Sequence, residues 1–102
     1  MFILKLLNDM NKSLKKNILT VVLHIVILGV FAIVYANIGD ASDWSTGKKL
    51  SWIDAIHFSI TTHTTVGYGD IYPIKGTPRW VTHIHMLLVF FLAIVDIFNL
   101  DN

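Results

Sequence analysis

Residues 61–70, Thr-Thr-His-Thr-Thr-Val-Gly-Tyr-Gly-Asp, set four threonine hydroxyls, an imidazole, a phenol and a carboxylate around two glycines. The segment has no paired nucleophile and base. Its glycines do not open a helix as a phosphate-binding loop would. Its chemistry must therefore come from the backbone. An ordinary strand turns successive carbonyls to opposite sides, so aiming them all at one axis takes alternating torsions. Glycine reaches left-handed conformations at little steric cost, which accounts for Gly67 and Gly69. Val66 and Tyr68 then point away from the axis and pack as a cuff. Four such strands around an axis stack rings of oxygen. A weakly hydrated monovalent cation can exchange its water for them. The Thr65 hydroxyl adds one ring at the inner end.

The rest of the chain must hold this segment at membrane depth. Of 102 residues, 54% are hydrophobic and only 15% charged, against roughly 25% charged in soluble domains. The mean hydropathy is +0.62. A net charge of +1 gives no nucleic-acid signal. Cysteine is absent, so there is no disulfide framework and no thiolate metal site.

Two segments are long enough to cross a bilayer. Residues 18–36 contain no formal charge and match a hydrocarbon core about 30 Å thick. Residues 80–102 hold the second span and a short C-terminus. This span is less clean, with His83, His85 and Asp96. The first apolar run exceeds the roughly 7–15 residues of a signal-peptide core, which argues against cleavage. Residues 1–17 read as an amphipathic basic helix in the headgroup layer, or as a frayed basic tail. Charge does not orient the spans: Lys5, Lys12, Lys15 and Lys16 precede the first, and Lys48, Lys49, Lys75 and Arg79 lie between them.

The connecting loop divides into an exposed turret (37–50), a short helix with the 61–70 segment and its exit (51–73), and an outer linker (74–79). Ser51 and Asp54 have the spacing of a capping-box variant. Trp52, Ile53, Ile56 and Ile60 recur at helical intervals, with Phe58 on another face. The helix is about 13 residues, too short to span, so it is re-entrant or lies on the surface. Irregular backbone at membrane depth is tolerated only inside protein or along a watery cavity. This argues that 61–70 lines a pore.

The stretch SWIDAIHFSITTHTTVGYGDIYP (51–73) resembles the miniature potassium channels of large algal viruses, the Kcv type. Its TVGYG is the signature of potassium-channel selectivity filters. The resemblance implies an all-α membrane protein: two transmembrane helices, a re-entrant pore helix and a selectivity-filter loop, assembled as a four-fold homotetramer in a lipid bilayer. It implies that carbonyls of Thr65, Val66, Gly67 and Tyr68, with the Thr65 hydroxyl, coordinate K+, and that Gly69 shapes the outer mouth. K+ is then the permeant ion, and no cofactor is expected. It implies cytoplasmic termini in a host-cell or viral membrane.

The resemblance gives Asp70 the role of a carboxylate that anchors the filter and attracts cations. Asp70, His57 and Thr64 are the expected filter supports. Many potassium channels place a tryptophan donor near His57. Trp52 lies further upstream, so His57 is expected to donate to Asp70 instead, or else to face headgroups. Thr61 stands where some relatives carry a buried acid. His63 matches the viral pattern, by packing or by chemistry. In the second span, Phe90 and Phe91 offer an apolar constriction, or ordinary packing. Asp96 offers either an acidic ring at the inner mouth, open to internal polycation block, or an interfacial carboxylate with a cationic neighbour. His24 is expected to meet another helix. His83 and His85 point to different helix faces, which argues against a metal site.

The competing classes are a non-conducting or modulatory channel subunit and an unselective permeabilising protein. No enzyme class fits. The two precisely spaced glycines argue against the unselective pore.

Overall fold

The computed structural model describes residues 1–99; positions 100–102 of the expected C-terminal segment lie outside the described residues. Helix α1 (Phe2–Asp9) leads into α2 (Lys12–Asn37), a 3-10 turn (Ala41–Asp43), α3 (Trp52–His63) and α4 (Gly76–Phe98). Helices α2 and α4 are long and apolar enough to cross a membrane. At about 1.5 Å per residue, the 26 residues of α2 reach about 39 Å. Its lysine-bearing first turns can thus stand in the headgroup layer.

Both long helices start earlier than the sequence divisions at 17/18 and 79/80. The chain turns extended at Met10, and the Asn11 side chain accepts the Leu14 amide at 2.8 Å. This N-cap starts the helix at Lys12. Helix α4 starts at Gly76, after Lys75, with Pro78 in its first turn, where a missing N–H costs nothing. Helix α1 buries no residue. Phe2, Ile3 and Leu4 stay exposed, as on a helix lying in an interface.

The expected exposed turret folds inward at two points. Trp44 and Leu50 are 1% and 5% exposed. Trp44 forms an isolated antiparallel bridge with Pro73. The Ser45 amide donates to the Tyr72 carbonyl at 2.8 Å, and the Ile74 amide to the Asp43 carbonyl at 2.6 Å. The turret is thereby clipped to the outer linker. Gly39 at this junction has φ +79, and a Cβ there would come within 2.4 Å of the Pro78 ring. A left-handed backbone and a close approach both require glycine.

The core sits at the end of the molecule where α2 finishes. Tyr35, Trp44, Leu50, Ala55, Phe58 and Ile71 form it. The Tyr35, Trp44 and Phe58 rings meet edge to face at centroid distances of 4.8–6.1 Å, a favoured aromatic geometry. Helix α3 is started by Ser51 Oγ, which accepts the Asp54 amide at 3.2 Å. Its inward face carries Ala55, Phe58 and Ser59, and Ser59 Oγ donates to the Leu28 carbonyl of α2 at 2.7 Å. Small and hydroxyl residues let two helices approach closely in an apolar medium. The stripe Trp52, Ile53, Ile56 and Ile60 points outward and stays exposed on the single chain.

Candidate functional site: the filter segment

The 61–70 segment leaves the C-terminal end of α3, where unpaired carbonyls concentrate partial negative charge. Thr64 closes the helix: its amide and its Oγ1 both donate to the Ile60 carbonyl, at 2.9 and 2.7 Å. The next turn is tightened by the Thr65 amide on the Thr62 carbonyl at 3.2 Å. The Gly67 amide returns to the Thr61 carbonyl at 3.0 Å.

Beyond this point the backbone alternates. Thr65, Gly67 and Gly69 have φ of +63, +58 and +80, while Val66 and Tyr68 between them do not enter the left-handed region. Every second residue is mirror-imaged, so carbonyls that would alternate along a strand can turn to one side. Glycine takes this conformation freely. Threonine does not, and a β-branched residue at positive φ is a true outlier. Among the described residues Thr65 is the one non-glycine with positive φ. The expectation of alternating torsions rested on two glycines; the structure adds Thr65 as a third left-handed position. Within the chain a methyl at Gly67 or Gly69 would meet nothing within 4 Å, and it is the positive φ that calls for glycine at both. Val66 and Tyr68 are exposed on the single chain.

Asp70 follows directly. The His57 Nε2–H donates to both carboxylate oxygens, at 3.2 and 3.0 Å, and the Ile71 amide donates to Oδ1 at 3.0 Å. The His57 ring also lies 5.4 Å from the Tyr68 ring. The hydrogen bond from His57 holds the Asp70 carboxyl below the usual carboxylate range; partial desolvation opposes it and the local backbone amides add to it. The structure therefore joins α3, Tyr68 and Asp70 through one imidazole.

Helix α4 flanks the segment. A cavity of about 590 Å³ runs between them, with Thr62, Thr65 and Gly67 on one wall and Val89 and Phe90 on the other. Phe91 is not among its lining residues. Asp96 lies on the side of α4 that faces α2, and its carboxylate accepts from His24 Nε2 at 3.1 Å. Lys16 Nζ donates to the Asn99 carbonyl, which places a cation at the C-terminal end of α4. His24 meets a helix, as its position inside a span required, and the partners are His63 and Asp96. His63 in turn meets His85 at 3.0 Å. His85 also stacks on Phe31, with centroids 3.9 Å apart and planes 2° apart. These contacts join residues 39 and 72 positions apart, and no sequence spacing announces them. The only available signal was that polar side chains at membrane depth each need a partner.

The chain matches the family model described as "Ion channel" over residues 19–101. It is 39% identical over 77 residues to the "Potassium channel protein kcv" of Paramecium bursaria Chlorella virus 1, covering 71% of this chain and 82% of that protein. No solved structure matches. With the match covering most of the chain, both spans and the filter segment, the protein belongs to the ion-channel family and is an integral membrane protein.

Proposed function

We propose that the protein is a potassium-selective channel, conducting passively through a pore enclosed by four copies of the chain. The observation that carries this reading is the left-handed backbone at residues 65, 67 and 69, coinciding with Thr-Val-Gly-Tyr-Gly. Each chain supplies one such segment, and one segment cannot surround an ion. The exposed Val66 and Tyr68 and the outward stripe of α3 give neighbouring chains apolar surface to cover. Carbonyls of Thr65, Val66, Gly67 and Tyr68, with the Thr65 hydroxyl, replace the water of a K+ ion, and Gly69 forms the outer mouth. K+ is the cargo; the residues supply oxygen dipoles and no cofactor is used. Thr64, His57 and Asp70 hold the segment at its two ends. Phe90, which lines the same cavity as Thr65, narrows the inner path in this reading. Both termini then lie on the cytoplasmic side.

The deciding experiment is single-channel recording of purified protein in planar bilayers, with potassium on one side and sodium on the other. A reversal potential near the potassium equilibrium value is expected. Reversal near zero during open events would reject selectivity. Silent bilayers from protein shown to be tetrameric would favour a modulatory subunit.

His57→Phe removes the donor to Asp70 and is expected to lower the potassium-to-sodium permeability ratio several-fold. An unchanged ratio would remove His57 from the filter support. The Asp70 pKa is depressed, so its contribution is complete above the ordinary carboxylate value of about 3.9 and is lost only as pH falls through the lower folded value. Lowering external pH from about 7 to about 5 leaves this carboxylate ionised. Loss of selectivity in that range that disappears in Asp70→Asn would contradict the assignment.

An inner-mouth ring of four Asp96 carboxylates would attract internal polycations. One oxygen of each is already engaged by His24, so block by internal magnesium is expected to be weak. Asp96→Asn should then change the block by less than about threefold in a rectification measurement, an effect below about 1 kcal/mol.

A further inference from the structure

Four polar contacts join into one continuous line across the protein. The Asp96 Oδ2 lies 3.1 Å from His24 Nε2. The other nitrogen of that ring, Nδ1, lies 3.0 Å from His63 Nε2. His63 Nδ1 lies 3.0 Å from His85 Nε2. His85 Nδ1 lies 2.8 Å from the Tyr35 hydroxyl. Each imidazole is used at both nitrogens, and the line crosses α4, α2, α3, α4 again and α2. One end is open: the His24 and Asp96 side chains are 26% and 40% exposed. The other end is closed, since Tyr35 and His85 are fully buried. The middle ring, His63, ends α3 two residues before Thr65.

This geometry admits few arrangements of hydrogens. An ionised carboxylate only accepts, and a neutral imidazole has one donor and one acceptor nitrogen. With Asp96 ionised and all three imidazoles neutral, His24 donates from Nε2, which leaves Nδ1 to accept. His63 must then donate from Nε2 and accept at Nδ1. The same holds for His85, which accepts the Tyr35 O–H. Every ring nitrogen in the line then has a partner, as the buried His63 and His85 require. All hydrogen bonds run one way, from Tyr35 to Asp96.

We propose that the Asp96 carboxylate sets the tautomer of His24, His63 and His85, and so fixes the direction of both hydrogen bonds by which His63, two residues before Thr65, ties the end of α3 to α2 and α4. Asp96, His24, His85 and Tyr35 are positioning residues acting through His63. An amide at position 96 both donates and accepts, so Asp96→Asn removes the polarity without removing the contact. The relay ties the inner end of α4 to the C-terminal end of α3, from which the filter segment leaves, through hydrogen-bond direction rather than through displacement. Its effect on gating rests on the channel reading; its tautomers do not.

The test uses the full-length protein in lipid, with 15N-labelled histidine rings assigned one at a time. Neutral Nε2–H rings are expected at His24, His63 and His85. In Asp96→Asn, the His63 and His85 spectra are expected to move toward mixed tautomers, although neither residue touches position 96. His57 and His83, outside the line, serve as internal references and should not move. An Nδ1–H ring at His63 or His85 in the unaltered protein would overturn the proposal. So would an Asp96→Asn spectrum unchanged at both. His24→Phe cuts the line at its first ring and gives the same readout if Asp96→Asn does not fold. A second arm measures the open-to-closed ratio in Asp96→Asn, Tyr35→Phe and the double variant. Sites this far apart without shared partners act independently; the relay instead predicts a departure from multiplicativity of about threefold or more, and multiplicative effects would remove the link to gating. Absent current with the expected tautomers would reject the channel reading and leave the relay standing.

Discussion

Gly67→Ala is expected to abolish selective potassium current. The residue has φ +58, and a left-handed L-residue costs roughly 1–2 kcal/mol. With four copies on one pore, as proposed, the penalty reaches roughly 4–8 kcal/mol. That is enough to turn the carbonyls away or to prevent assembly. Steric conflict within the chain is not the cause, because the added methyl meets none of its atoms within 4 Å. Gly29 in α2 supplies the matched control. It too has open space around a Cβ, but its φ is helical, so Gly29→Ala is expected to conduct normally. Potassium current from both variants, recorded under the same bi-ionic conditions, separates the two. A selective Gly67→Ala pore would mean that the alternating backbone does not aim the carbonyls.

The second large effect is expected at Phe58→Ala. Phe58 is the point where the pore helix enters the aromatic core, edge to face with both Tyr35 and Trp44. It is 5% exposed. Truncating a buried phenylalanine costs about 3–5 kcal/mol through lost contacts and the cavity left behind. Here the cavity opens between α2, α3 and the turret, so the pore helix loses its anchor at the outer end. A marked fall in the thermal unfolding midpoint in detergent is expected, with loss of current at temperatures where the parent protein conducts. Phe58→Leu keeps most of the volume and should fall less. Equal midpoints for Phe58→Ala and the parent would show that the core does not hold the pore helix.

These two positions differ in how legible they were. The glycines could be assigned from sequence because the left-handed conformation favours that residue type; Thr65, left-handed without being glycine, could not. The spans were legible for a similar reason: a charge-free run of 19 residues has few places to be in water. Phe58 was visible only as the residue off the main apolar stripe of α3. In a soluble helix the stripe of Trp52, Ile53, Ile56 and Ile60 would mark the buried face. In a membrane, lipid and neighbouring chains accept that stripe, and the intrachain contact goes to small and hydroxyl residues. Periodicity therefore finds the helix but does not say which side faces inward. The burial of Trp44 depends on the clip between the turret and residues 72–74, a long-range contact with no local signature. The relay from Asp96 to Tyr35 was hidden for the same reason. The start of α2 at Lys12 lay in plain view as an Asn11 cap, but the charge-free run drew the boundary to residue 18.

Among the described residues, the 61–70 segment has no ladder partner within its own chain. In a four-fold pore this makes the conducting unit shared property. If half the chains in a membrane carried a filter defect such as Gly67→Ala and assembly were random, roughly one tetramer in sixteen would be free of it. A silent copy would thus act as a poison rather than a mere absence. Any cell or virus holding two versions of this protein would show the phenotype of the worse one.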